Sequence, residues 1–142
     1  MSDIVKLTTD EQILGAFPLI QQLRPHLTKE DYLAKVKRMQ AQHGYALVAA
    51  IVDGEAKSAA GYRINESLAW GKYFYVDDLI TDAGSRSNGY AKLLFDWLEA
   101  EAAANGCEQF HLDSGVQRHD AHRFYLNKRM DIVAYHFYKP LP

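Results

Sequence analysis

The sequence predicts an α/β domain with a mixed, mostly antiparallel central sheet and helices on both of its faces. Short apolar runs rich in β-branched and aromatic residues alternate with segments of helical periodicity, in the order β-αα-βββ-α-β-α-β. This mixed order points to a sheet that is mostly antiparallel and contains one parallel pair. The chain has 142 residues, the size of one domain, and no repeat or linker divides it.

Composition and charge narrow the function classes. The net charge of −2 argues against a nucleic-acid-binding surface as the main role. Cys107 is the single cysteine, which excludes an internal disulfide and fits a reducing cytoplasm. The sequence has no run of 18 apolar residues, and MSDIVKLTTDEQ lacks the pattern of a signal peptide. We therefore expect a cytoplasmic protein that binds neither membranes nor nucleic acids.

The first third of the chain predicts one strand and two helices. Ile4–Leu7 is a short strand. Thr8 or Thr9 begins the first helix, because each is followed three residues later by Glu or Gln, the spacing of a capping box. Pro18 is expected to kink this helix or to break it in two. The second helix begins at Thr28, another capping residue.

Three consecutive strands follow. Tyr45–Val52 and Lys57–Ile64 are joined at Asp53-Gly54, a strong hairpin signal because both turn positions tolerate positive φ. The meander then continues through Leu68 to Trp70 into an apolar and aromatic third strand, Tyr73–Thr81.

The third strand leads into the stretch on which the function prediction depends. The strand carries an acidic pair, Asp77 and Asp78, and is followed by a polar turn and then, from Gly89 to Asn105, by a helix. The N–H groups of such a turn and of the first helical turn lack internal partners, and the helix dipole adds positive charge there. A phosphorylated ligand fits this arrangement, with Arg86 adding a charge-assisted fork. The glycine patterns of triphosphate-binding and dinucleotide-binding loops are absent.

The rest of the chain predicts a strand, a short helix and a last strand. The strand is Gln109–Asp113 and the helix is Ala121–Asn127. The last strand, Ile132–Tyr138, is unusually aromatic. His111, Asp113, His119 and His122 lie in pairs that share a face, but no third ligand stands at a recognisable spacing, so no metal site is expected.

The hexapeptide Arg86-Ser87-Asn88-Gly89-Tyr90-Ala91 resembles the R/Q-x-x-G-x-G/A signature of the GCN5-related N-acetyltransferase (GNAT) family. As in that family, it follows a strand with acidic residues and precedes an amphipathic helix. A second family stretch, Ala121-x-x-Phe124-Tyr125, stands on the short helix between the last two strands. The resemblance covers Tyr73 to the C-terminus. The alternative is an ordinary strand-turn-helix whose glycine merely closes a turn.

The resemblance implies a single GNAT-like domain, residues 1–142, that transfers an acetyl group from acetyl-CoA directly to a primary amine of a small molecule or protein, without a metal. Acceptor-side helices would occupy about 10–42, the acetyl-CoA-binding core about 73–105, and a strand-helix-strand 109–139. Family members commonly dimerise through their C-terminal strands, so a homodimer is expected. The alternative function is a non-catalytic acyl-CoA-binding sensor or interaction module, which would need neither the tyrosine nor the acidic pair.

The resemblance also assigns the residues that contact the cofactor. Backbone groups of Leu79, Ile80 and Thr81 would hold the pantetheine and direct an N–H at the thioester carbonyl. The diphosphate would lie on the loop formed by Arg86, Ser87, Asn88, Gly89, Tyr90 and Ala91. Arg118 stands where the family often has an asparagine that bonds the pantetheine amides, and Arg129-Met130 stands where the family favours Gly-Phe.

The catalytic groups follow from the same resemblance. Tyr125 would give a proton to the departing thiolate, since a phenol with a pKa near ~10 stays protonated at neutral pH. Asp77 would be the base that takes the amine proton through water, with Asp78 as a substrate or structural contact. Asp113 lies outside the resemblance and is expected to be a polar rim residue that contacts substrate, with a second base as the alternative role. In a regular strand only one of the adjacent aspartates faces the cleft unless a bulge intervenes. Alternatively, Asp78 or both aspartates bond to backbone N–H groups or to an arginine such as Arg63.

Overall fold

The structure is a computed structural model that describes residues 2–142, apart from the side chains of Ser2 and Ser87. The chain forms two compact units, one ending at His111 and the other running from Leu112 to Pro142.

The first unit is built on a five-stranded mixed sheet in the order β1-β2-β3-β4-β5. The strands are β1 (Ser2–Lys6), β2 (Tyr45–Val52), β3 (Glu55–Ser67), β4 (Gly71–Thr81) and β5 (Gln109–Leu112). Neighbours from β1 to β4 pair antiparallel. A helix connects β4 to β5, the connection that a parallel pair requires, so β4 and β5 supply the parallel part of the sheet.

Four helices of the first unit pack around this sheet. They are α1 (Asp10–Gly15), α2 (Phe17–Leu23), α3 (Lys29–Gln42) and α4 (Tyr90–Ala104), and a 3₁₀ helix, Ala83–Asn88, precedes α4. Thr9 and Gln12 form the capping box that begins α1, and Thr28 caps α3. Pro18 stands in the first turn of α2, so the predicted first helix is broken in two there.

The two faces of the sheet carry different helices. Ile13 of α1, Ile20 of α2 and Val36 of α3 are buried in one cluster with Ala59 of β3. On the other face, the Phe110 ring lies 5.2 Å from those of Phe74 and Phe95, between centroids. This arrangement confirms the prediction of an α/β fold with helices on both faces.

The predicted β2–β3 hairpin is confirmed and is longer than expected on its second strand. Val52 pairs with Glu55, and the two turn residues Asp53 and Gly54 have φ values of 52° and 82°. Leu68 to Trp70, predicted as part of the meander, is instead the turn between β3 and β4. Its geometry is fixed by the Trp70 N–H, which donates to Ser67 Oγ at 3.0 Å.

The second unit contains one helix, α5 (His119–Asn127), among its described residues. The prediction of a last strand over Ile132–Tyr138 is wrong, because these residues carry no strand assignment. A strand exists only where its backbone bonds to a neighbouring strand, and an aromatic pattern alone does not supply that neighbour. Tyr135 and Phe137 are 87% and 90% exposed, which leaves this segment without the burial that its composition suggested.

Candidate active site

A β-bulge in β4 shapes the acidic part of the site. On β3, Gly61 pairs with Asp78 and the next residue, Tyr62, pairs with Val76, so Asp77 is an extra residue in the ladder. A bulge interrupts the alternation of side chains along a strand. Asp77 and Asp78 therefore need not point to opposite faces, as they would in a regular strand.

Asp77 forms a two-bond ion pair with Arg63 of β3. Arg63 Nε donates to Asp77 Oδ2 at 2.7 Å, and Arg63 Nη2 donates to Asp77 Oδ1 at 2.8 Å. The Arg63 guanidinium also lies 5.9 Å from the centre of the Tyr75 ring. Each Asp77 oxygen keeps a second lone pair, so the carboxylate can still accept a bond from a ligand or water.

Asp78 is held from two elements. Tyr45 Oη of β2 donates to Asp78 Oδ2 at 2.7 Å, while Arg24, just after α2, donates to Asp78 Oδ1 from Nε at 3.1 Å and from Nη2 at 3.0 Å. Burial, together with the charge of Asp78, raises the pKa of Tyr45 well above its ordinary value, so its hydroxyl remains a donor. Tyr45, the partner of Asp78, packs against Gly61, and Arg63 is the partner of Asp77. Gly61 and Arg63 lie two residues apart on β3 and so share one face of the sheet. Both aspartates therefore make their contacts on that face.

The far end of β4 offers backbone groups that β5 does not cover. β5 has four residues and β4 has eleven. The Glu108 N–H donates to the Lys72 carbonyl at 2.7 Å, so β5 begins beside the start of β4. A parallel strand of that length ends well before Leu79, Ile80 and Thr81, which pair with β3 on their other side. Their outward N–H and C=O groups are the ones available to a ligand.

The loop after β4 ends at a left-handed glycine. Gly89 has φ 79° and ψ 12° and stands between the 3₁₀ helix and α4. None of the described side chains caps α4, so the first-turn N–H groups, including those of Tyr90 and Ala91, are left to water or a ligand. No atom of the described, non-adjacent residues lies within 4 Å of the place that a Gly89 Cβ would occupy. This open, uncapped terminus fits a diphosphate by its donors and its dipole.

Two side chains of the same loop are described. Arg86 and Asn88 are exposed, and Arg86 forms no ion pair with the residues that the structure describes. The Ser87 side chain, also predicted to contact the cofactor, lies outside the described part.

Asp82 anchors the start of the loop to α2. Gln22 Nε2 donates to Asp82 Oδ1 at 2.9 Å, and the Ala83 N–H donates to Gln22 Oε1 at 3.2 Å. Ser85 Oγ donates to Asp82 Oδ2 at 3.1 Å. The bonds from Gln22 and Ser85 lower the pKa of Asp82.

A cavity of about 370 Å³ lies next to Asp78. It is lined by α2, α3, the segment between them, β2 and β4. Its lining residues are Ile20, Arg24, His26, Leu27, Tyr32, Lys35, Val36, Met39, Tyr45, Leu47 and Asp78.

Sequence reasoning missed three polar residues of this region, namely Gln22, Arg24 and Tyr45. Their contacts join residues 33 to 61 positions apart, and no spacing in the sequence signals such pairs. The alternative in which an arginine such as Arg63 pairs with the acidic residues did anticipate the contact that Asp77 makes.

The second unit carries the remaining predicted residues. Tyr125 of α5 is half-buried, and burial raises its pKa, an effect that the Arg118 guanidinium opposes. Asp113 Oδ2 lies 2.9 Å from Nδ1 of His136. Arg118 is exposed and precedes the first residue of α5.

The described part of the chain contains no group of three or more His, Cys, Asp or Glu residues placed to hold a metal ion. None of its helices has the length and apolar character needed to cross a bilayer.

The chain is similar in sequence to known acetyltransferases. The model of the acetyltransferase (GNAT) family matches residues 11–130. An uncharacterized N-acetyltransferase, YhdJ, of Bacillus subtilis (strain 168) is 33% identical over 142 residues, covering 99% of this chain and 100% of that protein.

Solved structures share the fold at low sequence identity. A transcriptional regulator from Bacillus halodurans C-125 superposes with a TM-score of 0.87 at 18% identity, covering 99% of this chain and 100% of that one. Aminoglycoside N-acetyltransferase AAC(6')-Iy in complex with CoA superposes with a TM-score of 0.85 at 16% identity, covering 99% and 95%.

Proposed function

Because this chain belongs to the acetyltransferase (GNAT) family and is an acyltransferase, we propose that it transfers the acetyl group of acetyl-CoA directly to a primary amine of a small molecule or a protein. One observation carries the proposal: the part of the β4 edge that β5 does not cover lies shortly before the uncapped start of α4 in the chain. The first can bond an extended amide chain, and the second can bond phosphate.

The donor is held by backbone rather than by side chains. The N–H groups at Gly89, Tyr90 and Ala91 receive the diphosphate, and Arg86 adds a guanidinium. Asn88 and Ser87 complete this loop, and Arg118 is the residue that we propose bonds the pantetheine. When bound, acetyl-CoA supplies the activated acetyl thioester.

Leu79, Ile80 and Thr81 orient the reacting end. Their uncovered backbone groups bond the pantetheine amides, and one N–H is directed at the thioester carbonyl, where negative charge develops. Two residues at the end of α2 fix this segment in place. Arg24 Nη2 donates to the Asp77 carbonyl at 3.1 Å before it, and Gln22 holds Asp82 after it.

Tyr125 is the proposed acid. Its raised pKa keeps the phenol protonated through neutral and moderately alkaline pH, so the Oη–H can give its proton to the departing sulfur. Asp77 is the proposed base, and it accepts the amine proton through water on the lone pairs that Arg63 leaves unused. Asp78 bonds to Arg24 and so holds the end of α2, on the side of the site proposed for the acceptor, against β4. Asp113 is the second candidate base.

We also propose that the protein is cytoplasmic and a homodimer. The support for the dimer is the exposed apolar segment 132–138, because a solvent-exposed run of this composition is typical of an interface. A screen of small amines and peptide N-termini with acetyl-CoA, detecting the released thiol, tests the activity. Transfer to at least one amine supports the proposal, whereas acetyl-CoA binding with no transfer to any amine would favour the sensor alternative.

A further inference from the structure

We propose that the cavity beside Asp78 binds the acceptor and selects a primary amine that carries an apolar group and a carboxylate, the chemistry of a free bulky α-amino acid. The inference deepens the proposed acetyl transfer and rests on it. It is drawn from the lining of the cavity, from the bonds already made by its polar groups, and from the charges left without a partner.

The walls of the cavity are apolar. Ile20 and Leu47 are buried, and Leu27, Val36 and Met39 add aliphatic and thioether surface. A volume of about 370 Å³ is at the low end of small-molecule pockets, which span roughly 300–1,000 Å³. The cavity therefore suits one compact apolar group better than a long polar chain.

The two tyrosines of the lining present their rings rather than free hydroxyls. Tyr32 Oη donates to the Ile13 carbonyl at 2.6 Å, and Tyr45 Oη donates to Asp78. Both side chains are buried, so their hydroxyls are committed to the protein and their rings add to the apolar wall.

The negative charge of the lining is already balanced. Asp78 is its acidic residue, and both of its oxygens accept bonds, from Arg24 on one and from Tyr45 on the other. A polycationic acceptor would have to compete with Arg24 for this carboxylate. The lining thus argues against a polyamine as the acceptor.

One positive charge of the lining, that of Lys35, is not balanced by any described residue. Lys35 and His26 line the cavity and form no hydrogen bond or ion pair with the residues that the structure describes. Asp31, one helical turn before Lys35 and opposite in charge, makes no ion pair with it in this part of the chain. An acceptor carboxylate would pair with Lys35 and take a further bond from His26.

The test compares leucine with leucinamide, which keeps the apolar group and the amine but lacks the carboxylate. Spermidine represents a polyamine, and glycine represents a carboxylate without an apolar group. Each kcat/KM is measured for the parent, for Lys35→Gln, and for Lys29→Gln, an exposed lysine of the same helix outside the cavity lining. Comparing each variant with the parent on one substrate cancels the intrinsic reactivity of that amine.

We expect Lys35→Gln to lower kcat/KM for leucine by about tenfold and to leave leucinamide nearly unchanged, while Lys29→Gln changes neither. Leucine should also exceed glycine and spermidine. Equal losses on leucine and leucinamide, or a preference for spermidine, would overturn the proposal.

Binding separates this inference from the proposed activity. If no amine is acetylated, calorimetry of leucine with the CoA-saturated protein still decides the role of the cavity. Binding that is weakened by Lys35→Gln supports the cavity as a site for this chemistry, and the failure then belongs to the acetyl-transfer proposal. Absence of leucine binding to the CoA-saturated parent would overturn the cavity proposal.

Discussion

At the scale of single residues, the acidic pair shows what a sequence pattern can and cannot indicate. The adjacent aspartates ahead of an apolar segment predicted a functional position on β4. The bulge at Asp77 and the two arginine partners decide how the carboxylates point, and both depend on which residues β3 and α2 bring near. Register and long-range ion pairs are set by tertiary packing, so local sequence does not reveal them.

Tyr125→Phe tests the proposed acid. The change keeps the ring and its packing and removes the proton, so kcat should fall by about 10²–10⁴-fold with little change in the Kd of acetyl-CoA. Tyr138→Phe, at an exposed tyrosine of the same unit, is the matched control and should keep parental kcat.

The pH dependence of activity gives a second test of Tyr125 as the acid. Because burial raises the pKa of Tyr125, its proton is present below that pKa and lost above it, so the phenol should remain competent to a higher pH than an exposed tyrosine would. An activity that rises with pH through the alkaline range in the parent, but not in Tyr125→Phe, would show that the phenolate, rather than the phenol, is required.

Asp77→Asn tests the proposed base, with Arg63→Gln as its matched control, because either change removes the same ion pair. If Asp77 takes the amine proton, Asp77→Asn should lower kcat/KM by about 10²-fold at low pH and by less as rising pH supplies neutral amine. Arg63→Gln should retain most of the activity. Similar losses in both variants that do not vary with pH would mean that the ion pair positions the strand, and the base would move to Asp113 or to water.

At the scale of elements, local signals were reliable where they act through the backbone. Pro18 divides α1 from α2, and Asp53-Gly54 turns the hairpin with positive φ at both residues. The prediction of a last strand over residues 132–138 was wrong, because a strand depends on bonds to a neighbouring strand, and composition does not specify that neighbour. The uncovered edge of β4 likewise exists because β5 is short. The apolar pattern predicted a strand that continues to Asp113, whereas β5 ends one residue earlier, at Leu112.

A polar contact that joins three elements gives a stability prediction. Glu101 of α4 accepts from Lys6 of β1 at 2.7 Å and from Tyr62 Oη of β3 at 2.9 Å. The Lys6 bond, with help from Tyr62, lowers the pKa of Glu101 against the opposing effect of burial. Glu101→Gln should destabilise the fold by about 1–2 kcal/mol at neutral pH.

The same shift fixes the pH dependence. Because the pKa of Glu101 is lower in the folded state, its charge stabilises the fold at pH values above the unfolded-state pKa, near about 4.3. This stabilisation is lost as the pH falls through the folded-state pKa. Urea unfolding of parent and Glu101→Gln at several pH values measures this, and the gap between them should narrow below about pH 4. A gap that stays constant into acid would mean that the charge of Glu101 contributes nothing.

At the scale of the whole molecule, the exposed C-terminal segment bears on assembly. If residues 132–138 form an interface between two copies, light scattering at micromolar concentration should give twice the chain mass of 16.1 kDa. Replacing Tyr135 and Phe137 together by Ser removes two exposed rings and should give monomer. A parent that is monomeric at that concentration would remove the dimer from the account.

The central claim is that acetyl-CoA binds where β4 ends and α4 begins, and Gly89→Val tests it most directly. A β-branched residue resists the left-handed conformation of Gly89 at a cost of about 1–2 kcal/mol and covers the first-turn N–H groups. Gly106→Val is the matched control, because Gly106 has φ 71°, has open space around its Cβ position, and lies just past the other end of α4. Each variant is first shown to be folded by circular dichroism.

Calorimetric titration with coenzyme A then decides the claim. The account predicts a Kd raised by about 100-fold or more in folded Gly89→Val and a parental Kd in folded Gly106→Val. A folded Gly89→Val protein that binds coenzyme A as tightly as the parent would contradict the claim and return this stretch to an ordinary strand-turn-helix.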